Sequence, residues 1–456
     1  MRALPKGLRV FALVSLGQFV SVAGSILSGF ALGVWTYQLT GEVTAYALIM
    51  VFGALPGLLI SPVAGVVLDR FDRRKLIVLS EIGMSLVSLV LAALLWQGRL
   101  SLWQIYLGSA VNAIFLSFVQ PAYAAIVPQL VDKEHLGQAN GMSQAANAGG
   151  QIIAPALAGV LVTLIGIQGV LVIDFLSFFF PIAIMMAIRI PRLERPPHAV
   201  STSSSFWREL WEGARYIFER PGLVGMLGLF ASTVFLSHVV VTLFTPFVLA
   251  FASAADLGVL LSVSGAGMLL GSLAMGIWGG PRRRIAGVLG FTLLSGLSLI
   301  LGGLRPSLIL VGIAGFVFYL SFPIIGGCAQ VIWQRKVALD VQGRVFALTG
   351  MVPALARPLS ALLAGPLADK FFEPLLMPAG ALAQSVGRII GVGPGRGMGL
   401  LFILMGGLTL ATVIAGYVFR PVRLIETELP DAIPDAPPQD DEAAPVGGAE
   451  PLLEKI

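Results

Sequence analysis

Apolar runs of roughly 20 residues recur along almost the whole chain. A helix rising 1.5 Å per residue needs about that length to cross ~30 Å of hydrocarbon. The runs predict twelve spans, near 10–35, 44–68, 76–96, 102–125, 139–165, 169–189, 223–252, 257–279, 285–303, 307–333, 344–368 and 398–419. A transmembrane barrel is excluded, because its strands would alternate polar and apolar residues over ~10-residue segments. Charged residues make up only 12% of the chain and hydrophobic ones 57%, whereas a soluble domain carries about 25% charged residues. There is too little polar surface to wrap a water-soluble globule of this size. The expected fold class is therefore an all-α membrane protein.

The stretch from Arg2 to Gly33 has a basic flank followed by an apolar run. That run is too long for a signal peptide and more spans follow, so it reads as the first span. The single cysteine, Cys328, sits in an apolar helix, forbids an internal disulfide and offers no metal cluster. No cofactor or metal is expected. The net charge of +5 is no nucleic-acid signal, because the basic residues sit in short loops between spans.

Those loops alternate. Basic residues cluster at Arg2, Lys6 and Arg9; at Arg70, Arg73, Arg74 and Lys75; at Arg189, Arg192 and Arg195; at Arg282, Arg283 and Arg284; at Arg335, Lys336 and Arg344; and at Arg420 and Arg423. The intervening loops hold scattered ones such as Arg99, Arg305 and Lys370. By the positive-inside rule both termini are expected in the cytoplasm. The long 191–222 linker interleaves Phe206, Trp207, Leu210, Trp211, Tyr216 and Phe218 with Arg208, Glu209, Glu212, Arg215 and Glu219, which predicts an amphipathic surface helix. The linker separates an N-terminal half, 1–190, from a C-terminal half, 223–420. The acidic, Pro-rich tail, 421–456, is expected to be disordered from Glu426 onward. A faint repeat links the halves: Arg73-Arg74 and Arg282-Arg283 follow spans 2 and 8, and Gly137-Gln138 and Gly343-Arg344 open spans 5 and 11. Two related six-helix halves are a transporter architecture with a site near the midplane.

The segment Gly65-Val-Val-Leu-Asp69-Arg70-Phe-Asp72-Arg73-Arg74-Lys75 resembles the loop 2–3 signature of the major facilitator superfamily. That signature is Gly, three residues, Asp-Arg and a short basic run; Asp72 stands where many members have Gly, and the second-half copy Gly279–Arg284 keeps the basic run without the counterpart of Asp69. Span 5, through Gly150, Ala154, Pro155, Ala158 and Gly159, looks like the glycine-proline element of the superfamily's antiporters, with alanines replacing two glycines. The stretch Gln120-Pro121-Ala122 to Val127-Pro128, with Ala139-Asn140, resembles the macrolide-efflux and enterobactin-exporter-like branch. The resemblance covers residues 8–420 and implies twelve helices in two pseudo-symmetric bundles. It also implies a cavity lined by spans 1, 4, 7 and 10, and export by rocker-switch alternating access with the proton as coupling ion. The arginine that many drug antiporters carry in span 4 is absent.

On the residues themselves, Asp69 closes span 2, and Gly65 one turn earlier lets another helix approach. With Arg70, Arg73 and Arg74 they form either a conformational gate, in which the anion caps a neighbouring helix, or a plain topogenic basic loop. Asn140, Gln144, Asn147 and Gln151 share one face of span 5, as Gln18, Ser21, Ser25 and Ser28 do in span 1. Such stripes line a water-filled path or bond adjacent helices. Gly150, Ala154, Pro155 and Gly159 read as a packing motif. Asp174 and Arg357 are charges inside spans, costly on insertion scales and so functional candidates. Asp174 is a proton carrier or half of a structural pair. Arg357, before Pro358, is a substrate or coupling site, or a charge met by a carboxylate or by backbone carbonyls. His238, on a face with Thr242 and Thr245, titrates or simply bonds within its helix. Asn112 and Gln120 in span 4 complete the candidates.

Nothing in the sequence points to an enzyme; a phosphate-binding loop ending in Lys-Ser/Thr is missing. The expected function is secondary active export of small amphipathic molecules from the inner cell membrane by a monomer in the lipid bilayer, with no nucleic-acid partner. The rivals are a lipid or lysophospholipid transporter and a transport-inactive receptor or scaffold.

Overall fold

The computed structural model describes residues 6–131, 135–188 and 203–432. Its regular structure in these residues is helical, with no strand among them. The first bundle comprises α1 (Lys6–Thr40), α2 (Val43–Phe52), α3 (Leu55–Arg70), α4 (Arg73–Trp96), α5 (Leu102–Leu130), α6 (Leu136–Ser177) and α7 (Phe179–Ala187). Helix α8 (Ser203–Phe218) precedes the second bundle, formed by α9 (Pro221–Leu249), α10 (Ala254–Trp278), α11 (Arg284–Leu304), α12 (Leu308–Lys336) and α13 (Leu339–Pro366). After α13 come a π-helical turn (Leu367–Phe372), α14 (Glu373–Leu375), α15 (Gly387–Ile390) and α16 (Arg396–Val418), and then the short α17 (Arg420–Arg423) and α18 (Ile425–Glu428).

Among the described residues, eleven helices are long and apolar enough to cross a membrane. The twelfth span is inside one of them. Ile153–Ala187 is 35 residues, or ~52 Å if straight, far more than one crossing needs. It reverses at Gly166, whose φ of 70° and ψ of 175° are open to glycine without strain. Span 2 is likewise interrupted, where α2 stops at Gly53 and Pro56 restarts the helix as α3.

Within the first bundle α1 runs along α6, and α5 packs on α3 and α4; within the second, α12 packs on α10 and α11, and α16 on α11. The bundles meet through α6 against α10 and α2 against α13. Both contacts lie at the end opposite α8, here the far end. The largest apolar cluster crosses between the bundles there, joining Val34 and Val43 of the first to Val240, Leu243, Leu257 and Ala364 of the second. Toward the end that carries α8, the linker end, the bundles part. Among the described residues, a side chain added at Gly65 in α3, or at Gly343 or Gly350 in α13, would meet nothing within 4 Å. The result is a cleft open at the linker end and sealed at the far end.

Three expectations need correction. Span 11 does not stop at residue 368; its helix continues through the π-helical turn to Leu375, so Asp369 sits on a helix and not in a loop. The tail is ordered as far as Ala432: Val422 and Ile425 are 1% and 0% exposed and pack into the second bundle. The physical reason is a capping demand. Arg283, at the N-cap of α11, makes no side-chain cap, and the Glu426 carboxylate accepts from Arg284 N and Ile285 N at 3.0 Å each. Buried Lys336 then donates to the carbonyls of Glu426 and Leu429 and pairs with Asp431 at 2.8 Å. Residues 433–456 lie outside the described residues. Finally, α8 is amphipathic but also docks on the second bundle. Ile217 is buried, Glu212 pairs with Arg344 at 2.9 Å, and the Tyr216 hydroxyl accepts from Ala338 N at 3.2 Å, while Trp211 and Phe218 stay exposed.

Candidate functional site

The far-end seal is built from two close helix crossings. At one, a Cβ on Gly159 of α6 would stand 2.7 Å from the Ala254 carbonyl oxygen of α10, and a Cβ on Gly258 would stand 2.6 Å from the Pro155 oxygen. The two glycines therefore let two backbones touch. Ala154 and Ala158 turn the same segment of α6 toward Leu27 and Ala31 of α1. Gly150 has ordinary van der Waals room, its nearest atom being Val22 Cγ1 at 3.7 Å. At the other crossing, Gly365 of α13 lies against Thr44 of α2, and a Cβ there would be 2.6 Å from Thr44 Cα. One turn on, Ala361 packs on Ala47 and Val51.

Asp369 ties this second crossing. Its carboxylate accepts from Val43 N at 2.9 Å, Thr44 N at 2.7 Å and the Thr44 hydroxyl at 2.6 Å. The local N-cap of α2, Glu42, makes no side-chain cap. The second bundle therefore supplies the N-terminal cap of a first-bundle helix, using an anion where the helix dipole favours one.

Two carboxyl groups are buried in the first bundle behind α1. Asp174 of α6 is 2% exposed, and its Oδ2 accepts from Ser28 at 2.5 Å and Ser88 at 2.6 Å. Among the described residues its Oδ1 has no hydrogen-bond partner, and it lies beside Gly24, where a Cβ would come within 2.9 Å. Glu81 of α4 is also 2% exposed and accepts from Ser21 at 3.0 Å. Glu81 and Asp174 are close enough to act on each other electrostatically. The α1 serines thus serve as a ladder: Ser21 reaches Glu81, Ser28 reaches Asp174, and Ser25 lies beside Asp174 while remaining exposed. Gly29, one turn from Ser25 on the same face, is exposed with nothing near it, so this face of α1 borders the cleft. Half-buried Gln18 lies on that face too. Glu81 was not among the candidates expected from the sequence. Its signal was present, an acid inside the apolar α4 run.

Across the cleft, Arg357 is exposed, and its guanidinium makes no hydrogen bond or ion pair among the described residues. It shares a helix face with Ala361 and Ala364, four and seven residues on, which pack against the first bundle and in the inter-bundle core. The arginine therefore faces the inter-bundle gap one turn inside the seal. It lies within electrostatic reach of His238 on α9 and Tyr319 on α12. His238 is half-buried with Nδ1 2.8 Å from the Val234 oxygen, and the Thr242 hydroxyl donates to the His238 carbonyl at 2.9 Å.

The basic loop is stapled within its own bundle. Arg73 donates to the Ala125 carbonyl at 2.7 Å and Arg74 to the Met186 carbonyl at 2.6 Å, while Asp72 caps α4 by accepting from Arg74 N at 3.0 Å. The expectation that Gly65 admits a close helix is not met in this conformation, because the cleft is open there. The side chains of Asp69, Arg70 and Asn147, like those of Asn140, Gln144 and Gln151, lie outside the described residues. Asn112 is half-buried with Oδ1 unpartnered, and Gln120 is exposed; neither joins the groups above through a hydrogen bond.

Known proteins match this architecture. The model of the Major Facilitator Superfamily matches residues 14–361. The chain is 27% identical over 370 residues to Macrolide efflux protein A of Streptococcus pyogenes, covering 79% of this chain and 89% of that one. It is 28% identical over 276 residues to Enterobactin exporter EntS of Salmonella typhimurium, covering 58% and 63%. Among solved structures, a bacterial homolog of the human lysosomal transporter Spinster aligns with a TM-score of 0.66 at 13% identity over 91% of this chain and 97% of that one. A bacterial homologue of the iron transporter ferroportin aligns at 0.64 with 14% identity, over 90% and 98%. At such identities the structural likeness shows the fold alone.

Proposed function

The chain belongs to the Major Facilitator Superfamily, and from that premise we propose that it is a secondary active exporter of small amphipathic molecules, of drug, macrolide or siderophore kind, working by proton antiport and rocker-switch alternating access. The observation that carries the reading is the asymmetric cleft: two bundles sealed at one end by glycine crossings and the Asp369 cap, and parted at the other. A rocking transporter needs such a seal on one side at a time. The names of the macrolide and enterobactin relatives support export as the direction.

The basic loops lie at the linker end, so the positive-inside rule puts that end, and both termini, in the cytoplasm of the inner membrane. In this orientation the cleft faces the cytoplasm, where an exporter loads. The halves move as 1–190 and 223–420 about the 191–222 linker, and one chain suffices as a monomer. Asp174 and Glu81 are the proton-carrying pair, with Ser25 linking Asp174 to cleft water. An intramembrane carboxylate costs about 3 kcal/mol on insertion scales, so a proton bound or released there shifts the balance between states. Asp69 takes the matching role at the other face. The N-cap of α13, Ala338, makes no side-chain cap and its own N–H is met by the Tyr216 hydroxyl, so the N–H groups that follow it can donate to the Asp69 carboxylate when the cytoplasmic end closes.

Efflux from proteoliposomes tests the whole reading. Transport of a panel of macrolides, catecholates and dyes should run uphill on an imposed pH gradient and stop on adding an uncoupler. Transport unaffected by the uncoupler would reject proton coupling, and no transport of any amphiphile would favour the receptor or scaffold.

A further inference from the structure

Resting on the transporter reading, we infer that the cleft selects molecules bearing an anionic group, with Arg357 as the group that receives it and the aromatic wall of α12 as the seat of the apolar body. The argument begins with charge balance. A fixed charge at membrane depth is normally paired, buried among carbonyls or turned to water. Arg357 is exposed toward the cleft, and its planar fork of five N–H donors is unspent.

Among the described residues, no side chain at this depth supplies its counter-ion. The carboxyl groups within the spans, Glu81 and Asp174, are each 2% exposed behind α1 and already bonded to serines. Asp369 is three turns away and spends its carboxylate on α2. His238, within electrostatic reach, is neutral or of the same sign as Arg357. A cleft with low-dielectric walls and one unpaired cation attracts anions and disfavours cations. Tyr319, within electrostatic reach of the arginine, stacks on Phe322 with ring centroids 5.9 Å apart and planes at 26°, and Phe318 meets Phe322 at 5.0 Å. Both Tyr319 and Phe322 are only half-buried, so rings remain open to an apolar ligand.

Tetraphenylborate and tetraphenylphosphonium have nearly the same shape and opposite charge, so they isolate sign from size. Their binding to the full-length protein in zwitterionic nanodiscs, with empty discs subtracted, is the test. The wild type should hold the borate at least ten-fold more tightly than the phosphonium, and added salt should weaken the borate more. Arg357→Ala should erase that preference, Arg357→Lys should keep part of it, and Arg357→Glu should reverse it. A wild type that prefers the phosphonium, or an Arg357→Ala variant that keeps the borate preference, overturns the assignment. Should Arg357→Ala fail to fold, the lysine variant and the salt series decide in its place. A second arm, in discs containing anionic lipid, separates the sources of the anion. Competition there assigns the site to a lipid headgroup, and undiminished borate binding assigns it to a soluble substrate. Binding is read without a gradient, so failure of proton-driven export leaves this test standing, and the reverse also holds.

Discussion

Replacing Asp369 by Ala should unlatch the far end. The carboxylate caps α2 across the bundle interface with two backbone bonds and one hydroxyl bond, of 2.9, 2.7 and 2.6 Å. Hydrogen bonds to a charged group contribute ~1.5–3 kcal/mol each when buried. Asp369 is half-exposed, and measured caps are worth ~0.5–2 kcal/mol, so about 2 kcal/mol for the whole latch is a reasonable figure. The far-end-open state has no access to these bonds, so the full amount appears in the equilibrium between states. At 1.4 kcal/mol per factor of ten, that is a shift of roughly thirty-fold. A state present at 1:99 would rise to about 1:3. Asp369→Asn, which keeps one acceptor oxygen and loses the charge, should fall between, and Thr44→Val, which removes only the hydroxyl bond, should shift the ratio about five-fold. The assay is a distance measurement between spin labels on Gln97→Cys and Arg305→Cys, in far-end loops of the two bundles, in a Cys328→Ala background. The long-distance population should grow in the order wild type, Thr44→Val, Asp369→Asn, Asp369→Ala. Unchanged distributions in both Thr44→Val and Asp369→Ala would refute the idea that this cap holds the seal.

Gly159→Leu drives a side chain against the Ala254 carbonyl, so Ala255→Cys in that background should label from outside at least ten-fold faster, and an unchanged rate would contradict the crossing as a seal. Asp174→Asn should abolish pH-driven efflux while membrane-inserted protein stays near wild type, and Ser28→Ala or Ser88→Ala should each lower it less; normal uphill transport by Asp174→Asn would remove the carboxyl from coupling. At the tail, partial burial pushes the Asp431 carboxyl up, but Lys336 and Arg335 outweigh it and hold it below its usual range. Because the docked value lies below the undocked one, the contact is at full strength above the usual carboxylate range near ~4 and is lost as pH falls through the docked value. Hydrogen exchange over residues 424–432 should therefore accelerate on acidification below about pH 4, and Asp431→Asn should show fast exchange already at neutral pH.

Much of the fold was legible because a bilayer leaves so few options. Run length places the spans, and loop charge orders them, since neither depends on which helix touches which. Asp174 and Arg357 were visible as isolated charges in apolar runs. Glu81 escaped because only its burial against Ser21 distinguishes it from an acid at the interface, and burial is a property of neighbours 60 positions away. The end of span 11 escaped because a π-helical turn carries the helix through Asp369 and Lys370, which in one dimension look like a loop.

The helix caps show the division most clearly. The cap by Asp72 needs local sequence only, for a short polar residue directly before a helix accepts from its own first turn. The sequence also shows a second-half copy with no acid before its helix. It could not say that Glu426 caps α11 from 142 positions away, or that Asp369 caps α2 from 325. Unsatisfied N–H groups at a helix start are fixed by local sequence, whereas the acceptor that meets them is whichever carboxylate the packed bundles bring within about 3 Å. The sequence determined the demand for a cap, and only the tertiary structure decided which half of the molecule supplies it, because hydrogen bonds act over ångströms in space and not over positions along a chain.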